Sequence, residues 1–202
     1  IATSALGNVE DFTFLGNTNK AATEAYGDAG IEPGDVQVCE VHDCFAITEV
    51  MMYEALGFAE RGKGTELGKA GATGIEGDTP VNTGGGLMAF GHPVGATGVK
   101  QVLEVYRQMK GQCGDYQIPN TPEVGLTANM GGDDRTAVVM AFKNLGGTRE
   151  EFEEWNSRGP RAHSRALERW CSGEKGRLGY TFLLHAAIHF NPAAVKTHLC
   201  HS

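Results

Sequence analysis

Asn82-Thr-Gly-Gly-Gly-Leu-Met-Ala-Phe-Gly-His-Pro-Val-Gly-Ala-Thr-Gly98 decides the reading of this chain. It holds His92 and Pro93 on a glycine-rich turn and runs through Thr97-Gly98 into a helix predicted over Val99 to Lys110. Glycine admits positive φ and lets backbone approach backbone, or a ligand, where a Cβ would intrude. A histidine on such a turn can face a pocket as a base or a hydrogen-bond donor. The bland alternative is a glycine-rich turn before an ordinary helix, with His92 as a cap.

A second motif lies upstream. Val36-Gln-Val-Cys-Glu-Val41 is alternating and β-branched, which predicts a buried strand. It runs into His42-Asp43-Cys44-Phe45, and Ala46 to Leu56 reads as a helix closed by Gly57. His42 and Cys44 therefore fall at a strand-to-helix junction, where α/β folds place ligands. Two residues apart on extended backbone, they can face one site. A histidine beside a free thiol suits nucleophilic or acid–base work. A cysteine alone is more often a small buried hydrophobe.

Taken together the two motifs resemble the thiolase superfamily. The glycine-histidine-proline run meets each fixed position of that family's signature, and His42-Asp-Cys-Phe45 resembles the variant found in sterol-carrier-protein-2 type thiolases. The resemblance covers Ile1 to Leu145. It implies Claisen-type acyl transfer, or thiolytic cleavage of 3-oxoacyl thioesters, with coenzyme A as a substrate and no other cofactor. By motif, His92 would activate a nucleophilic cysteine and help hold an oxyanion. His42 would position water or the thioester oxygen, and Cys44 would act as acid and base. Asn82, Gly85, Gly86, Gly91 and Asn129 would contact substrate or coenzyme A. The family's nucleophile belongs to the other half of its fold, and nothing here resembles that motif. The expectation is a chain lacking the nucleophile half, working as a homodimer or paired with an N-terminal thiolase half.

Around the motifs the elements fall in a simple order. A helix is predicted over Asn19 to Ala29, then the strand before His42, the helix after it, and a long irregular loop from Phe58 to Val81. The post-His92 helix follows, then strands Val124 to Asn129 and Thr136 to Phe142 around a glycine turn. This is a β-α-β-α-β-β unit, a mixed sheet covered by helices, and matches the C-terminal half of the thiolase-like fold. The loop is longer than most connections and is a candidate wall of the acyl pocket.

Some positions depart from the family. Ordinary thiolases carry a second catalytic cysteine where Asn129 stands, and the sterol-carrier type uses the cysteine equivalent to Cys44 instead. That type usually has a histidine at the position of Ala128, and its glycine run is broken here by Asp133-Asp134-Arg135. Two acidic residues beside the site would alter its charge and solvation. Ala128, the Asp133-Asp134 pair and the missing nucleophile half keep open a catalytically inactive lipid-binding or partner subunit; a further alternative is a thiolase-like steroid side-chain aldolase, over which the retained His42-Asp-Cys44 and Gly91-His-Pro93 favour thiolase chemistry.

Composition bounds the rest. A length of 202 residues supports one good core, and a net charge of −8 argues against a nucleic-acid surface. No stretch approaches a membrane span, and the first residues show no secretory pattern. Five cysteines without metal spacing read as free thiols in a reducing compartment. Cys39 is expected in the core and Cys113 to be incidental. The expected location is intracellular, cytoplasmic or, in a eukaryote, peroxisomal. Composition shifts after Leu145, so residues 146–202 are expected to form a non-homologous tail, partly helical or disordered. His185 and His189 are spaced for one helix face there, but no carboxylate completes a metal set.

Overall fold

The computed structural model describes residues 1–3 and 11–144. The expectations for the tail, including the boundary at Leu145, the His185–His189 pair, Cys171 and Cys200, lie outside the described residues.

Four strands form one mixed sheet in the order β1-β4-β3-β2: β1 Ala2–Thr3, β2 Val38–Val41, β3 Val124–Gly131 and β4 Thr136–Lys143. Strand β1 pairs antiparallel with β4, and β2 pairs parallel with β3. Five helices accompany them: α1 Gly16–Ala29, α2 Ala46–Ala55, α3 Gly64–Lys69, α4 Gly86–Phe90 and α5 Thr97–Met109. The β-α-β-α-β-β order is present, with α2 to α5 all in the crossover between the parallel strands. The Phe58–Val81 segment is less irregular than expected. It contains α3, which packs on α2 with the Gly64 N–H donating to the Glu54 carboxylate at 3.0 Å. Its end joins the sheet, where the Cys39 N–H donates to the Pro80 carbonyl at 2.9 Å.

The strict alternation of β2 sorts the molecule into two apolar layers. Cys39 and Val41 face the larger core with Ala22, Met52, Leu56, Leu126 and Ala128. Val38 faces the other way, against Val105, Met109 and Ile118. Glu40 and His42 share the Val38 side by the two-residue period of a strand. Helix α5 covers that side, and its buried face is polar along Thr97, Gln101, Glu104 and Gln108, and apolar along Val102, Val105 and Met109. Cys39 is in the core as expected; burial first, then Glu40 and Glu49, raise its thiol well above the ordinary range. Cys113 is also buried, and burial pushes its thiol up to about 11.

The acidic interruption after β3 has a structural explanation. Asp133 and Asp134 take positive φ, 53° and 63°, in the turn that returns the chain to β4. The Asp134 carboxylate then accepts from the Asn17 N–H at 2.8 Å, the Thr18 N–H at 3.0 Å and the Thr18 hydroxyl at 2.6 Å. Leu15 precedes α1 and supplies no side-chain cap. Asp134 supplies it from across the sheet, satisfying donors that a helix start leaves open. Of the two acids expected to adjust the charge of the site, Asp134 is thus engaged as the cap of α1.

Candidate functional site

Parallel register builds the first half of the site. The last registered pair is Val41 opposite Ala128. One residue further on, the His42 N–H donates to the Ala128 carbonyl at 2.9 Å. That step turns the His42 and Asn129 side chains to the same side of the sheet, and His42 Nδ1 lies 2.8 Å from Asn129 Oδ1. The site thus sits at the carboxyl ends of the parallel strands, as the topology dictates. Ala128 points the other way, into the core. Its departure from the family pattern therefore leaves the face carrying His42 untouched.

The glycine-rich turn delivers the second histidine. Gly85 and Gly86 have φ of 92° and 58°, and a Cβ on Gly86 would lie 2.2 Å from the Asp43 carboxylate. Asp43 occupies that space and accepts from the Leu87 N–H at 2.8 Å, so it anchors the start of α4. Asn82 also bends the chain here, with φ of 49°. Its amide accepts from the Val41 N–H at 2.9 Å and donates to Glu49 at 3.1 Å. Asn82, expected at the substrate, is buried and ties the loop to β2 and α2. Gly91, with φ of 83°, ends α4 and releases His92. Pro93 then closes the turn into α5, its carbonyl accepting from the Ala96 and Thr97 N–H groups.

The two imidazoles meet. Their centroids are 4.9 Å apart with the planes at 81°, edge to face. Each ring is held through Nδ1, His42 by Asn129 and His92 by the Thr97 hydroxyl at 2.7 Å. Asn129 Oδ1 is an acceptor, so His42 Nδ1 carries the proton in the neutral ring. Thr97 Oγ1 donates to the Pro93 carbonyl at 3.3 Å and thus accepts from His92. Both rings are left with a bare Nε2, able to take a proton and, once charged, to donate to a developing oxyanion. Gly98 makes room for this arrangement: a Cβ there would lie 2.9 Å from Asn129 Nδ2. His42 is buried and its pKa is lowered, by burial first; the Asn129 bond opposes this and His92 adds to it. His92 is exposed.

Cys44 is partly exposed, and its Sγ lies 3.9 Å from the Thr48 hydroxyl in the first turn of α2. The structure therefore brings His42, His92 and Asn129 into one contact set, whereas Cys44 lies beside it at the start of the next helix. Sequence reading missed Asp43 and Thr97, which hold the histidine turn. It also missed the acid lying two residues before His42. Glu40 is 2% exposed. Burial pushes its carboxyl up to about 8, with Lys100 opposing and Glu104, Asp43 and Glu49 adding to the rise. Among the described residues no group of three or more His, Cys, Asp or Glu side chains is placed to hold a metal ion. A groove of about 600 Å³ between the ends of α1 and α2, walled by Tyr26, Pro33 and Leu56, contains none of the site residues named from sequence.

Comparison with known proteins agrees with this geometry. A family model described as thiolase C-terminal domain-like matches residues 1–144. An acetyl-CoA acetyltransferase of Methanothermobacter thermautotrophicus is 45% identical over 140 residues, covering 69% of this chain and 36% of that protein. Sterol carrier protein 2 of Homo sapiens is 40% identical over 129 residues, covering 64% of this chain and 23% of that protein. The chain thus spans about a third or less of the length of these curated relatives. A solved Ltp2-ChsH2(DUF35) aldolase superposes with a TM-score of 0.61 at 20% identity, over 72% of this chain and 38% of that one, a likeness of fold alone. With the family match running through β1 to β4 and both histidine motifs, the chain belongs to the thiolase family, matching its C-terminal domain.

Proposed function

We propose that this chain supplies the thioester-polarising part of a thiolase-type acyltransferase acting on 3-oxoacyl-coenzyme A. The observation that carries the reading is the His42–His92 pair, with rings 4.9 Å apart and both Nδ1 atoms engaged. One bare Nε2 accepts the proton of an attacking thiol. The resulting imidazolium donates a charge-assisted hydrogen bond to the thioester oxygen as negative charge builds there. Burial lowers the pKa of His42, which favours its neutral, proton-accepting form, and His92 stands on the exposed turn beside it. Cys44, half-exposed at the head of α2, is the nearby thiol for moving the α-proton.

The nucleophilic thiol comes from outside this domain. Phe45, Ile47, Met88, Val94 and Val99 are 62–81% exposed around the two motifs. Such a patch on a domain matching 36% of a relative's length fits a surface that the rest of a thiolase covers. The inactive-subunit alternative drew on Ala128, the Asp133-Asp134 pair and the missing nucleophile half; Asp134 caps α1 and Ala128 lies in the core, so those two residues do not weigh against catalysis.

The test is acetoacetyl-coenzyme A cleavage in the presence of coenzyme A. The purified chain alone should be inactive. Joined to the N-terminal part of the Methanothermobacter relative it should turn over, and His92→Asn should abolish that turnover. Turnover that survives both His42→Asn and His92→Asn overturns the proposal.

A further inference from the structure

The two elements that carry the histidines are joined by a contact chain, partly buried, that no part of the proposed chemistry uses. Glu40 lies on β2 two residues before His42, and Phe90 ends α4 two residues before His92. Lys100 reaches between them from α5. Its Nζ lies 3.7 Å from Glu40 Oε2 and 3.5 Å from the centroid of the Phe90 ring. The Nζ atom is itself buried and has no hydrogen-bond partner among the described residues. It is held by the carboxyl on one side and the ring face on the other. The chain closes on α5, since Phe90 meets Tyr116 edge to face at 6.4 Å and the Tyr116 hydroxyl donates to Glu104 at 3.1 Å. Glu104 is one helical turn from Lys100.

This placement is costly without a purpose. A buried ammonium loses its hydration, and a cation over a ring face recovers only part of that. A methionine or leucine would fill the same space on α5. The ammonium adds a directional hold on two separate elements at once. We infer that Lys100 is a positioning residue: gripping Glu40 and Phe90, it sets the separation of the His42 and His92 rings. This rests on the proposed function only for why that separation matters, because the hold itself is a feature of the fold.

A double-mutant cycle read by histidine ring titration tests it without any assay of turnover. The full chain is labelled at its histidines, and His42→Asn and His92→Asn identify the two signals by NMR. In the otherwise wild-type chain, His92→Asn should raise the pKa of His42, because the neighbouring ring that helps lower it is gone. In Lys100→Met the rings drift apart, so the same change should shift His42 by less than half as much. The ring-to-ring Overhauser contact should weaken in parallel. Lys100→Arg, which can hold both partners, should restore both readouts. Loss of the lysine charge also moves each pKa directly, but that effect is common to both arms and cancels in the cycle. Phe90→Leu leaves Lys100 and Glu40 in place and should reproduce Lys100→Met; it decides the matter if the methionine variant does not fold. An undiminished His92→Asn shift in Lys100→Met, or in Phe90→Leu, overturns the inference. Inactivity of the joined enzyme with this cycle intact would count against the proposed chemistry alone.

Discussion

Asp134→Ala probes a contact between distant parts of the chain. Asp134 reaches the head of α1, 116 positions away along the chain from Thr18, and receives three hydrogen bonds there. Truncation removes the helix cap, a loss of about 0.5–2 kcal/mol. It also strands the Thr18 hydroxyl, which is 1% exposed, and an unsatisfied buried hydroxyl costs about 1–3 kcal/mol. Alanine must further adopt φ near 63°, where a Cβ without a local polar partner adds about 1–2 kcal/mol. These terms overlap, and the expected total is roughly 3–5 kcal/mol. The assay is urea unfolding of the 202-residue chain followed by far-ultraviolet circular dichroism. Asp134→Gly separates the contributions, since it relieves the backbone and leaves about 2–3 kcal/mol for the lost cap and hydroxyl. Asp134→Asn keeps one acceptor and tolerates the left-handed backbone, so it should fall between wild type and glycine. An alanine variant within about 1 kcal/mol of wild type would refute the reasoning, as would a glycine variant more stable than wild type.

Other expectations concern the site. His42 has a lowered pKa when folded, so the unfolded chain binds its proton more readily. Its contribution to stability is complete above about 6.5, the unfolded value, and is lost as pH falls through the folded value. His42→Gln should flatten the acid limb of a stability–pH curve, and an unchanged limb would show that His42 does not titrate there. Among the cysteines of the described residues, Cys44 should alkylate first at neutral pH, because Cys39 and Cys113 are buried with their thiols pushed up. Peptide mapping that finds Cys39 labelled as fast in folded protein would contradict this.

Local pattern carried much of the architecture. The alternation of Val36 to Val41 and the run from Val99 to Lys110 each locate an element to within two or three residues, since periodicity is written in adjacent positions. The motifs likewise located His42 and His92, because a strand end and a glycine turn are both local events. What stayed hidden is non-local. Nothing near Asp134 says that it caps α1, nor near Asp43 that it fills the hollow left by Gly86. Lys100 reads as an ordinary exposed helix lysine until β2 is seen beneath it. Nothing near Asn82 says that its amide spans Val41 and Glu49. The short helix α3 was hidden by its two glycines, Gly64 and Gly68, and its position inside a polar loop.

The central claim is that His42 and His92 act together on one thioester oxygen. The most direct measurement is the carbonyl ¹³C signal of labelled acetoacetyl-coenzyme A bound to the joined two-part protein. As pH falls and an Nε2 of the pair gains a proton, the charge-assisted hydrogen bond should polarise the thioester carbonyl and move its resonance downfield of the free value, and His42→Asn and His92→Asn should each reduce that shift. A bound carbonyl that resonates at its free position, or a downfield shift that neither substitution changes, would contradict the account.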